Sequence, residues 1–311
     1  MRRGRKLDRI TRITNQVDAL HEVFSSELFE HTIGTHSIDE FRGNNFNSVY
    51  YYKVGMLPDL ITPQNIDEYG VAYTFYFLRE AQKFSMDLWF IKDNNIYIRD
   101  GFLLTYSEKI QDGSTFKASL TETFKKATGM SNSPTLFSNS EISEAIKGFN
   151  SYDLSNFSVD NSGGKVPDFS HFYTQSKSQA NSQRIIKAYY FVLTARQNAA
   201  VPMKILSYCT ALECLFNTSV SEISYQISER VALLLGKNKE DRLEIFHTVK
   251  NGYKYRSLVV HGSNLKGDEL KASKVSNELD SILRQLLNEN YSIFSESPTF
   301  INEFFLNDVL D

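Results

Sequence analysis

The chain has 311 residues, of which 41% are hydrophobic and 23% charged, and its formal net charge is −3. This composition is typical of a globular protein and excludes a largely disordered one. The small negative charge argues against a protein that coats nucleic acid without specificity, and the length allows two domains of ordinary size or one large one.

The chain has no run of eighteen apolar residues, so we expect no membrane span. Its basic start, MRRGRKLDRI, is followed by no apolar stretch typical of a signal peptide. Cys209 and Cys214 lie five residues apart in a helical pattern, which turns their side chains about 140° away from each other. This geometry does not suit a disulfide bond, so we predict a cytoplasmic protein whose cysteines are reduced.

Residues 1–157 have a mixed pattern. Residues 6–30 show helical spacing, and residues 68–83 fit either a helix or a strand. Residues 85–108 predict strands, because apolar residues alternate around the turn-forming Asp93-Asn94-Asn95. These patterns predict a mixed α+β domain. It contains no motif for a metal or a cofactor, so we predict that the protein uses neither.

Residues 158–170, SVDNSGGKVPDFS, are polar and rich in glycine, which predicts a linker. Beyond it, residues 171–311 are helical by pattern. We predict helices over 177–199 and 201–217, one from a Ser219/Glu222 capping box to Gly236, one from Asn238 to Gly262, and a last one starting near Asp268 and Glu269. Five amphipathic helices with short connections predict an all-α bundle, so the fold class is α+β overall.

Arg256 and His261 lie on either side of an apolar run at the end of the fourth of these helices. Arginine presents a charged, planar fork to phosphate oxygens, and histidine gives or takes a proton near neutral pH. RNA carries its own nucleophile, so an enzyme that cleaves it needs only a proton acceptor, a proton donor and a group that stabilises the charge on the phosphate, roles suited to these two residue types. The alternative is that both side chains only bind the free carbonyls at the helix end.

Arg256, Ser257, Leu258-Val259-Val260 and His261 resemble the R-x4-6-H motif of HEPN domains. Three segments, KILSYCTALECLF, SERVALLLG and GYKYRSLVVHG, resemble successive helices of the Apea-like HEPN subgroup, over roughly residues 177–290. Ser257 departs from the Asn, Asp or His that catalytic members often carry there. Residues 1–157 resemble no family that we can name.

The resemblance implies a metal-independent ribonuclease that acts as a homodimer, with a toxin or antiphage role and RNA as the substrate. Arg256 and His261 would be catalytic, Ser257 and Tyr253 supporting, and Lys250 and Lys254 in contact with RNA, while Glu213 and Arg230 would form a structural ion pair. The N-terminal domain would take a regulatory ligand or protein. The alternative is a HEPN module that binds RNA or a nucleotide, or only dimerises.

Overall fold

The computed structural model describes residues 12–14, 34, 49–51, 66–105, 113–129, 135–150, 183–219, 222–262, 268–289 and 291–310. Within them the chain forms eight α-helices, one 3-10 helix and four short strands, which pair into two antiparallel sheets of two strands each. The fold is therefore mostly helical and broadly α+β.

The chain divides into two compact units that alternate along the sequence. The first takes Met1–Lys83, Ile98–Thr121 and Asp153–Phe169, and the second takes Phe84–Tyr97, Glu122–Tyr152 and Ser170–Asp311. The division therefore differs from the predicted single boundary after residue 157, because two segments of the expected N-terminal domain belong with the C-terminal helices. The predicted linker lies outside the described residues.

The first unit contains both sheets. Strand β1 (Arg12–Thr14) pairs with β2 (Val49–Tyr51), and β3 (Asp100–Thr105) pairs with β4 (Ser114–Ser119), with Leu103 opposite Phe116. The helix expected over residues 6–30 is wrong at 12–14, and its remainder lies outside the described residues.

Helix α1 (Ile66–Ile91) corrects the expected strands. Residues 66–83 of this helix belong to the first unit, and residues 84–91 to the second. Leu88 and Phe90, which we predicted in a strand, lie in this helix, and residues 92–99 form no regular element. Residues 84–89 are all buried, so this part of the helix has no solvent-exposed face. Its sequence therefore lacks the alternation of apolar and polar residues every 3.6 residues that identifies an amphipathic helix.

The second unit is built from helices whose positions match the five predicted ones, with two more that we did not predict. The predicted set is α3 (Gln183–Gln197), α4 (Val201–Phe216), α5 (Ile223–Leu235), α6 (Lys239–Val260) and α7 (Glu269–Glu289). The unpredicted ones are α2 (Asn139–Asn150) and α8 (Pro298–Leu310), the latter preceded by a 3-10 helix at Ser292–Ser295.

Helix α4 lies at the centre of this unit and packs against α3, α5, α6 and α7. Nine of its sixteen residues are buried, among them Ile205, Tyr208, Leu212 and Phe216. A helix covered on several sides is apolar over most of its surface, and its burial is the main source of its stability. Glu213 therefore has a fixed place on the scaffold.

A buried group of charged side chains lies on one side of α4. Asp280 of α7 accepts hydrogen bonds from Trp89 Nε1 and Tyr208 Oη, each at 3.0 Å, and forms an ion pair with Arg284. Lys204 Nζ donates to the carbonyl of Ala195 at 2.8 Å and to that of Lys125 at 3.2 Å. These contacts join α1, α3, α4 and α7 in one polar cluster.

Both cysteines are free thiols, as predicted, with Cys209 buried and Cys214 half-buried. None of the helices in the described part of the chain is both long enough and apolar enough to cross a membrane.

Candidate functional site

Helix α6 presents a polar face to a cleft. Lys250, Tyr253, Lys254 and Ser257 follow the spacing i, i+3, i+4, i+7, which places them on one side of a helix. They line an open cleft of about 550 Å³, whose other lining residues are Glu213, Ile223, Ser224, Asn251 and Arg256. Three cationic side chains and one carboxylate therefore face the same space.

The ends of α6 and one glycine set its position. Asn238 caps the start, since its Oδ1 accepts from the backbone N–H of Asp241 at 2.9 Å. Gly262, with φ +70°, follows the end of the helix in the left-handed region that favours glycine. At Gly252 a Cβ atom would lie 2.9 Å from Leu279 Cδ1 and 3.5 Å from Cys209 Sγ, so glycine lets α6 approach α4 and α7 closely.

Arg256 is held by α4. Its Nη2 lies 3.4 Å from Glu213 Oε1, and the two side chains are 33% and 21% exposed. The guanidinium carbon lies 6.0 Å from the centroid of the Tyr253 ring, within the range of a cation–π contact. Its Nε is buried without a hydrogen-bond partner. The guanidinium thus has one ionic partner and still lines the cleft.

His261 caps the C-terminus of α6. Its backbone N–H donates to the carbonyl of Ser257 at 3.0 Å, and its side chain is exposed. It is not among the residues that line the cleft with Arg256. Five residues of helix turn the two side chains about 140° apart, so one chain presents them on different sides of the helix end.

The ion pair expected between Glu213 and Arg230 is replaced by other contacts. Glu213 pairs with Arg256. Arg230 is 4% exposed and donates from Nη1 to the carbonyl of Phe216 at 2.7 Å and to Thr218 Oγ1 at 2.9 Å, while Nη2 bonds Asn302. Arg230 instead caps the carboxyl end of α4, where carbonyls lack helical partners.

Tyr253 forms the buried wall of the cleft. It is 8% exposed, and its hydroxyl donates to the carbonyl of Cys209 at 3.4 Å. Burial raises the pKa of Tyr253, and the neighbouring Cys209 and Glu213 raise it further. Burial also raises the pKa of the Cys209 thiol. Neither group is ionised near neutral pH, so Tyr253 does not act as a base.

Lys250 and Lys254 bring positive charge to the cleft in different ways. Lys250 Nζ donates to Ser224 Oγ at 3.2 Å and lies 5.5 Å from the Tyr225 ring centroid, so it is fixed against the first turn of α5. Lys254 is exposed. The sequence singled out both lysines, whereas it did not single out Ser224 and Asn251. Only their positions in helices could have indicated them, because Ser224 lies in the first turn of α5 and Asn251 follows Lys250 in α6.

Among the described residues, no group of three or more histidine, cysteine, aspartate or glutamate side chains is arranged to hold a metal ion. Comparisons of the chain with protein-family models, with curated proteins and with solved structures found no match.

Proposed function

We propose that the chain is a metal-independent endoribonuclease of HEPN type, active as a homodimer, whose biological role is that of a toxin or antiphage effector. The observation that carries the proposal is the joint placement of Arg256, Lys250 and Lys254 in one open cleft, with His261 exposed at the end of the same helix. Cationic side chains around an open cleft suit a ligand with a phosphate backbone.

Each residue then has a chemical role. The 2′-hydroxyl of RNA attacks the adjacent phosphorus, and the bond from phosphorus to the 5′-oxygen of the next nucleotide breaks. Two protons move in this step: His261 accepts the proton of the 2′-hydroxyl while a water molecule protonates the leaving 5′-oxygen, or His261 protonates the leaving oxygen while water accepts the first proton. Arg256 stabilises the extra negative charge on the phosphate oxygens in the transition state. Lys250 and Lys254 bind flanking phosphates, and Ser257 and Tyr253 support Arg256.

One chain presents Arg256 and His261 on different sides of the helix end, so we propose that two copies complete the site. A two-fold axis beside the C-terminus of α6 would place Arg256 of one copy near His261 of the other. A homodimer also doubles the positive charge around the substrate. The N-terminal region would then select the substrate or restrain the activity through a ligand or a partner protein.

A second function is favoured by one specific contact. Glu213 neutralises part of the Arg256 charge, and a paired arginine contributes less to stabilising a transition state than a free one. The alternative is therefore a HEPN module that binds RNA or a nucleotide without cleaving it, or that only dimerises, in the service of the N-terminal region.

Cleavage of a mixed-sequence single-stranded RNA pool in excess EDTA tests the proposal. We expect cleavage at an unchanged rate, with 2′,3′-cyclic phosphate ends, because the 2′-hydroxyl is the nucleophile. Mapping the ends by ligation and mass spectrometry checks the chemistry. Activity that EDTA abolishes and a divalent cation restores would rule out the metal-free mechanism.

Arg256→Ala and His261→Ala provide the matched controls. Each should lower the cleavage rate on the order of a hundredfold or more, as expected when a catalytic acid, base or charge stabiliser is removed. Both side chains lie near the helix end, so the fold should persist by circular dichroism. Expression of the parent should slow cell growth, and neither variant should do so. Cleavage at the parental rate by either variant would contradict the assignment.

A further inference from the structure

A second cleft adjoins the one that contains Arg256. It measures about 410 Å³ and is lined by Glu222, Ser224, Tyr225 and Lys250. Ser224 and Lys250 line both clefts, so the two form one continuous surface with Lys250 at the boundary. The second cleft differs from the first because it contains an exposed aromatic ring.

Tyr225 is 51% exposed although its ring is held in place. The Tyr225 and Phe246 rings pack in a T-shaped contact, with the centroids 5.4 Å apart and the planes at 73°. Lys250 Nζ lies 5.5 Å from its centroid. An aromatic ring that is fixed by its neighbours and still half open to solvent loses little conformational entropy when a flat ligand stacks on it.

We infer that Tyr225 is a stacking platform for an unpaired nucleobase whose flanking phosphate lies on Lys250 and Ser224. The ammonium of Lys250 lies 5.5 Å from the centroid of the Tyr225 ring, so a base that stacks on the ring would have a cationic group beside it for its phosphate. A basic groove with adjacent aromatic rings is the arrangement that binds single strands with little sequence preference. This inference rests on the proposed function only in taking RNA as the ligand.

The platform also predicts the substrate class. A base can stack on a protein side chain only after it has left the base stack of its own strand, so a duplex cannot use the ring. The site should therefore prefer single-stranded segments and loops to double-stranded RNA. The hydroxyl of Tyr225 is not required, because stacking depends on the ring.

The test uses the parent protein and a twelve-nucleotide single-stranded 2′-O-methyl RNA, which keeps phosphates and bases but lacks the nucleophile. Dissociation constants are measured by fluorescence anisotropy at one fixed, low salt concentration. Tyr225→Leu should weaken binding on the order of tenfold to a hundredfold, since stacking on an aromatic ring contributes about that much per base. Tyr225→Phe should rescue the binding.

Phe300→Leu is the control. Phe300 is an aromatic residue of α8 that is 49% exposed and lines neither cleft. Its replacement by leucine should change the affinity for RNA by less than about twofold. A 2-aminopurine base in the same RNA should lose fluorescence when it binds the parent but not when it binds Tyr225→Leu. An annealed duplex should bind the parent more weakly than the single strand.

The outcomes separate the two proposals. Binding that depends on Tyr225 without any cleavage of ordinary RNA would support the platform and overturn the ribonuclease. Cleavage of RNA with unchanged binding by Tyr225→Leu would support the ribonuclease and overturn the platform. Equal affinity for duplex and single strand, or a parent that binds no RNA, would also overturn the platform.

Discussion

At the scale of single residues, Glu213 is the ionic partner of Arg256. The carboxylate orients the guanidinium through Nη2 and lowers the positive charge of the cleft. These two effects oppose each other in an enzyme, since orientation aids the chemical step and neutralisation weakens the attraction for phosphate. A substitution that keeps the shape of the side chain and removes its charge separates them.

We predict that Glu213→Gln lowers both kcat and KM for RNA cleavage. KM should fall because the cleft loses its negative charge, and kcat should fall roughly tenfold because Arg256 is oriented less firmly. Steady-state kinetics on a fluorogenic RNA measure both constants. Glu244→Gln, which removes the same charge from an exposed position of α6 outside the cleft, should leave both unchanged. An unaltered kcat would show that Glu213 does not position Arg256.

The choice of partner for Glu213 was not predictable from sequence. Both Arg230 and Arg256 lie on helices that contact α4, and the partner depends on the rotation of each helix about its axis. Hydrophobic periodicity fixes that rotation only roughly. By contrast, their spacing along the sequence is enough to place four residues on one face of α6, because the helix itself sets their relative directions. These residues are Lys250, Tyr253, Lys254 and Ser257.

Lys204 gives the buried cluster a measurable pH dependence. Burial lowers the pKa of Lys204 from its ordinary value of 10.5 to about 8, although the nearby Asp93 opposes the shift. Below pH 8 both folded and unfolded chains carry the proton, and the folded state bears the full cost of a buried charge, about 3 kcal/mol. Between about pH 8 and pH 10.5 the unfolded chain binds more protons, so this cost disappears as the pH rises.

We predict that the free energy of unfolding of the parent, relative to Lys204→Met, rises by about 2 kcal/mol between about pH 7.5 and about pH 10. Urea denaturation of both proteins at several pH values measures the difference. Burial raises the pKa of Tyr208, so at alkaline pH the unfolded chain loses this proton first and the free energy of unfolding falls. Both proteins carry Tyr208, so its effect cancels in the difference. A difference that is constant with pH would contradict the lowered pKa.

At the scale of secondary-structure elements, the caps explain which predictions succeeded. Asn238 and Gly262 were expected to bound α6, and the structure places its N-cap and its positive-φ glycine there. The capping box expected at Ser219 and Glu222 was wrong. Glu222 is itself the N-cap of α5, at φ 52° and without a side-chain cap, because the helix begins only at Ile223.

We predict that Asn238→Ala lowers the free energy of unfolding by about 1 kcal/mol, because the N–H of Asp241 loses its acceptor. Chemical denaturation followed by circular dichroism at 222 nm is a suitable measurement. Asn238→Asp keeps an acceptor at the cap and should retain the parental stability. A loss as large in Asn238→Asp as in Asn238→Ala would show that the cap bond is not the cause.

At the scale of the whole molecule, sequence patterns located the helices around α4 but not the division into units. Amphipathic spacing is a local signal. Residues 84–97 and 122–152 belong to the helical unit because of contacts between residues far apart in sequence. One such contact is the hydrogen bond that Ser276 Oγ donates to the carbonyl of Ala127 at 2.6 Å. Such contacts leave no periodic trace in either segment.

The proposed homodimer requires an apolar surface near the end of α6. Of the three apolar residues between Arg256 and His261, Val260 is 58% exposed, while Leu258 packs against the core. An exposed apolar side chain such as Val260, beside the proposed two-fold axis, is suited to burial against a second copy.

We predict that Val260→Glu dissociates the dimer and abolishes RNA cleavage together, because a carboxylate buried in an apolar interface has no partner. Light scattering measures the mass, and cleavage is assayed on the same samples. Leu306→Glu is the matched control, since Leu306 is 59% exposed on α8, far along the chain from the motif, and this variant should remain dimeric and active.

Mixing Arg256→Ala with His261→Ala should restore part of the activity, because one of the two sites in a mixed dimer then combines an intact Arg256 with an intact His261 from the other copy. A monomeric parent that cleaves RNA at full rate, or mixed variants that stay inactive while exchanging subunits, would refute a site shared between two chains.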